Sequence, residues 1–123
     1  MRHRVALVLA VSLLLGELVL QPAVSAVVIK GVSCSTCPSG SKWSPRSVSI
    51  LQGTRVTWKA INTSHNVKSI GANWSKKSSI NIGEATSFTF ANAGTYRFRC
   101  TLHSTYSSTT KKCTGMCGKV VVS

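Results

Sequence analysis

The sequence predicts an all-β protein, an antiparallel sandwich or barrel, over residues 27–123. Short runs of β-branched and aromatic residues recur along this part of the chain, separated by Gly, Pro, Asn and Ser. In 55–61 apolar and polar side chains alternate, with the period of two that is typical of a half-buried strand. No segment after residue 26 has helical periodicity of useful length.

Residues 1–26 are predicted to be a secretory signal peptide. Two arginines precede the apolar run 5–15, and small residues before position 27 offer a site for cleavage after Ala26. Glu17 helps to interrupt the run before the roughly 20 apolar residues that a membrane span needs. We therefore expect one exported domain, 27–123, without a membrane span, located in the periplasm, the cell envelope or the medium.

Eight strands are predicted in this domain. Gln52-Gly53 and Ala93-Gly94 are turn signals between apolar runs, and the prolines after residue 26 fall in loops. Such short strands at regular spacing favour a sandwich or barrel. The predicted strands are 27–32, 48–51, 55–61, 66–70, 79–82, 87–91, 95–100 and 118–122.

The strand 95–100 has two faces of opposite character. Tyr96, Phe98 and Cys100 share one face, and two arginines occupy the other. Because arginine is rarely buried without a partner, we expect the Tyr-Phe-Cys face to point inward. Cys100 is then expected at the buried end of a strand, directly before a loop.

The composition is strongly basic. The chain has 15 Lys and Arg against 2 acidic residues, a net charge of +13. After residue 26 the single acid is Glu84, so salt bridges cannot organise this surface. The charge favours attraction to an acidic protein partner or to anionic envelope polymers. A nucleic-acid partner is not expected, given the export signal and the lack of a recognisable module.

The possible metal ligands are few. After residue 26 the chain contains two histidines, His65 and His103, and one methionine, Met116, besides five cysteines. Two His, one Cys and a weak axial Met are the ligand set of a blue-copper centre. Cys100 and His103 are close enough for one tight turn to direct both at one ion, and His65 would come from a distant loop. Taken singly, each of these residues has an ordinary structural interpretation.

Five cysteines in an exported chain imply disulfides and one cysteine left over. That leftover is a candidate for a free thiol, an intermolecular bridge or a metal ligand.

Four segments together resemble the plastocyanin/azurin family of cupredoxins: 53–58, 65–67, 93–103 and 115–120. The resemblance extends from about Trp43 onward and implies an eight-stranded Greek-key β-sandwich. It also implies that His65, Cys100 and His103 are equatorial ligands of one type 1 copper ion, that Met116 is the axial ligand, and that Asn66 braces the two ligand loops.

One feature departs from the family pattern. Twelve residues separate His103 from Met116, whereas two to four are typical of the family. We expect the longer loop to fold outward and return Met116 to the axial position. In such a fold the loop before the second strand lies at the ligand end, which leads us to predict two bridges joining the pair Cys34/Cys37 to the pair Cys113/Cys117, in an order left open. A local Cys34–Cys37 redox pair and a four-cysteine zinc site are the alternatives.

The resemblance implies a protein that passes single electrons to a redox partner through the Cu(I)/Cu(II) couple. No open coordination position is implied, so we do not expect an enzyme, and we expect a monomer. An envelope copper carrier or scavenger would use the same ligands, and a metal-free binding module would keep only the sandwich. The complete ligand set argues against the last of these.

Overall fold

Alternation of buried and exposed side chains builds two sheets in the computed structural model, which describes residue 16 and residues 26–123. The predicted signal peptide lies outside these residues, apart from Gly16 and Ala26. Within the described part of the chain, no helix has the length and apolar character to cross a membrane. The strands are β1 (Ala26–Ser33), β2 (Ser41–Ser44), β3 (Ser47–Ile50), β4 (Thr54–Ala60), β5 (His65–Ile70), β6 (Lys77–Ile80), β7 (Ala85–Phe90), β8 (Gly94–Ser107) and β9 (Lys112–Val122).

The strands form a four-stranded sheet, in the order β2-β1-β4-β7, and a five-stranded sheet, in the order β3-β9-β8-β5-β6. This arrangement confirms the predicted all-β sandwich. Most neighbours are antiparallel, but β1 pairs with β4 and β3 with β9 in parallel, so the sheets are mixed. Residues 26–123 contain nine strands instead of the predicted eight.

The additional strand is β2, which contributes the buried Trp43. Pro45 follows it, and a proline has no N–H to continue a ladder. The chain therefore leaves the first sheet here and enters the second as β3. The segment Ser-Lys-Trp-Ser has no β-branched residue, which explains why strand propensity did not reveal it.

Aromatic rings from both sheets fill the space between them. The ring of Trp58 on β4 meets that of Phe98 on β8 at 5.2 Å between centroids, and Trp43 lies 5.8 Å from Phe98. Tyr96, Phe98 and Cys100 are all buried, which confirms the predicted inward face of β8. This core continues to the edge of the candidate site, where Trp43 is 5.6 Å from His65.

The segment between His103 and Met116 is not the long loop that we predicted. It is a β-hairpin, in which Ser104 is opposite Gly115 and Ser107 is opposite Lys112. We call residues 104–115 the hairpin arm. The arm extends β8 and β9 beyond their predicted ends because its Ser, Thr and Tyr residues pair across the two strands.

The predicted disulfide connectivity is wrong. The structure joins Cys34 to Cys37 and Cys113 to Cys117, with Cα–Cα distances of 5.3 and 6.2 Å. A tight turn brings the first pair together, since the Cys37 N–H donates to the Cys34 carbonyl. The expected location holds, because the 34–40 loop does reach the arm. With all four sulfurs in bridges, a zinc site made from them is excluded.

Candidate metal centre

Three candidate ligands converge at one end of the sandwich. The Cys100 Sγ lies 3.8 Å from the His65 Nδ1 and 3.6 Å from the His103 Nδ1. The three donor atoms all lie within 4.8 Å of one another. Donors that surround one transition-metal ion at 2.0–2.3 Å are roughly 3.5–4 Å apart, so the spacing suits a single ion.

A local irregularity in β8 presents two of these side chains. The ladder between β8 and β9 shifts register between Arg99 and Ser104, and the segment with Cys100 and His103 bulges there. The Ser104 hydroxyl donates to the Cys100 carbonyl at 2.5 Å and closes the bulge. Cys100 is fully buried, whereas His103 is partly exposed.

His65 lies on β5, and its ring has space only because the residue beside it, Gly31, has no side chain. Its ring is buried, with Nδ1 toward Cys100 and Nε2 against the backbone of Gly31. A Cβ at position 31 would lie 2.8 Å from that Nε2. The Nε2 has no hydrogen-bond partner of ordinary geometry in the described part of the chain.

The surroundings of His65 favour the neutral form of its ring. Burial is the main cause that lowers the pKa of His65 below its ordinary value, and the neighbouring His103 lowers it further. Interaction with the Gly31 backbone opposes this shift in part. Neutral imidazole is the form that binds a metal, so the environment favours ligation.

Asn66 connects the two strands that carry the ligands. Its backbone N–H donates to the Cys100 Sγ at 3.4 Å. Its side chain donates to the Thr101 hydroxyl at 2.6 Å and accepts from the Thr101 N–H at 2.8 Å. The bracing contacts expected of Asn66 are therefore present.

Met116 lies on β9, in the part of the ladder that faces the bulge. Cys117 is opposite Arg99 and Gly115 is opposite Ser104, so Met116 alone faces 100–103. Its side chain is fully buried in the same core cluster as Cys100. The hairpin arm thus returns Met116 to the end of the sandwich where the other three candidates meet.

The donor set fits copper. It combines a buried cysteine outside any disulfide with two imidazoles and a thioether nearby, and no carboxylate belongs to the cluster. Soft thiolate and thioether ligands beside imidazole suit copper, whereas Mg²⁺ and Ca²⁺ require oxygen.

A groove lies beside the exposed edge of His103. Pro38 and the exposed Leu102 give it apolar walls, and Lys42 and Arg46 add positive charge. Among the residues that the structure describes, no acidic one lines this groove.

Sequence reasoning did not identify two glycines that shape the site. Gly31 lies within β1, and a glycine inside a strand pattern is a signal of close approach by another group. Gly115 has φ +94°, and a Cβ there would lie 2.5 Å from the His103 carbonyl oxygen.

Comparison with known proteins agrees with this geometry. The family profile described as copper binding proteins, plastocyanin/azurin family, matches residues 33–123. Among curated protein sequences, no match is found.

Several solved structures are similar to the chain. A reduced amicyanin variant is 27% identical, with a TM-score of 0.59 over 80% of this chain and 82% of that one. A purple cupredoxin from Nitrosopumilus maritimus is 26% identical, with a TM-score of 0.57 over 80% and 99% of the two chains. A copper-containing nitrite reductase from Thermus scotoductus SA-01 shares the fold at 20% identity and a TM-score of 0.60, over 85% of this chain and 23% of its own.

Proposed function

The chain belongs to the plastocyanin/azurin family of copper-binding proteins, and from that premise we propose that it is an exported type 1 copper protein that carries single electrons. In this proposal His65, Cys100 and His103 are the equatorial ligands and Met116 is the axial ligand. The observation that carries it is the convergence of one buried thiol and two imidazole nitrogens within 4.8 Å of one another.

A bound copper ion would supply a one-electron Cu(I)/Cu(II) couple. The role of the protein is to keep the donor atoms in a fixed geometry, because this reduces the structural reorganisation that each electron transfer requires. Two packed sheets and the Asn66–Thr101 hydrogen bonds supply that rigidity. Burial of His65, Cys100 and Met116 keeps water away from the donors. Four protein donors leave no position for a substrate, so we propose a carrier and not an enzyme.

Electrons would enter and leave through His103, which is partly exposed, whereas the other three ligand candidates are buried. Leu102, which is 64% exposed beside it, offers an apolar contact for a partner. Lys42 and Arg46 in the adjoining groove would attract a partner with an acidic face. We therefore propose an acidic redox protein as the partner.

The decisive experiment is a visible absorption titration of residues 27–123 with Cu(II). We expect an intense thiolate-to-copper band that saturates at one equivalent and is absent in Cys100→Ser. Reversible reduction without loss of the metal would favour an electron carrier over a copper carrier. Weak, colourless binding would refute the proposal.

Export has its own test. The full chain, expressed in a bacterium with a general secretion pathway, should yield a mature protein that begins at Val27. Retention of residues 1–26 in the exported protein would contradict the predicted cleavage.

A further inference from the structure

The Cys113–Cys117 disulfide encloses the candidate axial ligand in a small covalent ring. The ring consists of Cys113, Thr114, Gly115, Met116 and Cys117. In a regular strand, residues four apart would be about 13 Å apart between Cα atoms. Here the Cα–Cα distance is 6.2 Å, so the disulfide spans a sharp fold in β9.

The backbone of the ring bends at Gly115. Its φ of +94° is in a region that side chains other than glycine disfavour. Its backbone also lies directly against β8, where a Cβ would be 2.5 Å from the His103 carbonyl oxygen and 3.1 Å from the Ser104 Cα. The ring is therefore seated on the strand that carries two of the ligand candidates.

Met116 differs from the other members of the ring. Its side chain is fully buried, while Thr114 is exposed and the two cysteines and Gly115 are intermediate. It is also the one residue of β9 between the paired positions Gly115 and Cys117. The ring thus directs a single side chain toward the bulge at 100–103.

On the side of the arm, the position of Met116 is fixed by the ring together with the pairing of Gly115 and Ser104. Twelve residues separate it from His103, and the arm ends in an exposed four-residue turn at 108–111. Motion of so long a hairpin would reach Met116 through β9. A disulfide across 113–117 isolates the backbone of Met116 from that motion.

We propose that Cys113 and Cys117 are positioning residues for the axial ligand, and that their ring sets the distance of the Met116 thioether from the metal. This inference rests on the proposed copper site. Axial ligation tunes the reduction potential of such centres, so the ring is a determinant of the potential.

The test is a double-mutant cycle on copper-loaded protein, read by reduction potential and electron paramagnetic resonance. The ring is opened in the Cys113→Ser/Cys117→Ser variant, and the thioether is removed in Met116→Leu. We expect both to shift the potential in the same direction, the first by about 59 mV, which is a tenfold change in the ratio of Cu(I) to Cu(II) affinity. In the Met116→Leu background, opening the ring should produce no further shift.

Two matched controls separate positioning from general stability. Cys34→Ser/Cys37→Ser removes the other disulfide and should leave the potential unchanged. A glycine inserted after Thr114 enlarges the ring but keeps its disulfide, so it provides a test even if the ring-opened variant does not fold. It should shift the potential, whereas a glycine inserted in the 108–111 turn should not.

The inference would be overturned if the shifts in reduction potential were additive in the cycle, or if opening or enlarging the ring caused no shift, in a protein whose wild-type form shows the copper band. Absence of that band would instead refute the copper site itself. In metal-free protein, opening the ring should also accelerate amide hydrogen exchange at 114–116, and unchanged exchange there would count against a positioning role.

Discussion

Substituting Gly31 by alanine should displace His65 without altering any donor atom. The new Cβ would lie 2.8 Å from the His65 Nε2 and 3.1 Å from the Trp43 ring. Its closest contact would be with the His65 Cδ2, and since ordinary contact begins at 3.4 Å, the imidazole must move by about 1 Å. Metal sites require donors within about 0.5 Å of the productive geometry, and we expect the copper affinity to fall about 10–100-fold.

The assay is a competition titration with a copper chelator, together with urea unfolding of the metal-free protein. Overpacking should lower the free energy of unfolding by about 1–3 kcal/mol. Gly83→Ala is the matched control, because Gly83 has φ +84° and no atom within 4 Å of its Cβ position. Backbone strain there should cost about 1–2 kcal/mol and leave copper affinity intact. Wild-type copper affinity in Gly31→Ala would refute the proposed role of the glycine.

Three further outcomes are expected. Asn66→Ala should lower copper affinity about 10–100-fold, because it removes both hydrogen bonds to Thr101. Asn73→Ala, which removes a hydrogen bond to a backbone carbonyl of β8, should leave copper affinity unchanged. Equal losses of affinity in a chelator titration would contradict the bracing role of Asn66. Because its pKa is lowered in the fold, His65 contributes stability above the ordinary histidine pKa of about 6.5. That stability should be lost as the pH falls toward the folded-state pKa, and urea unfolding of metal-free His65→Gln should lack this dependence. The rate of electron transfer to an acidic partner, measured by stopped-flow kinetics, should fall as salt is added. If the Lys42→Glu/Arg46→Glu variant showed the same salt dependence as the wild-type protein, docking at the groove would be contradicted.

Much of the architecture follows from local patterning. Alternation in 55–61 and the apolar face of 95–100 correctly indicated strands and their buried sides. The spacing of Cys100 and His103, with His65 as the remaining histidine, indicated a cluster that the structure does bring together. These inferences succeeded because side-chain period and ligand chemistry are properties of short segments.

The errors concern features that depend on backbone path. The Cys113–Cys117 bridge requires a folded strand, and Gly115 was its only local sign. The arm was taken for a loop because Ser and Thr are common in loops and equally compatible with an exposed two-stranded ladder. The role of Gly31 appears only when β1 and β5 are placed together, since no residue near it in sequence requires the space.

The two short disulfides also bear on how the chain would be oxidised after the export proposed above. Pairings three and four residues apart close the smallest loops that five cysteines allow. Each bridge can therefore form within its own short segment, without the distant Cys100. Oxidation of these two pairs would leave one thiol, that of Cys100, and folding would bury it. With the export proposed above, the odd number of cysteines would leave one reduced sulfur for the metal site in an oxidising compartment.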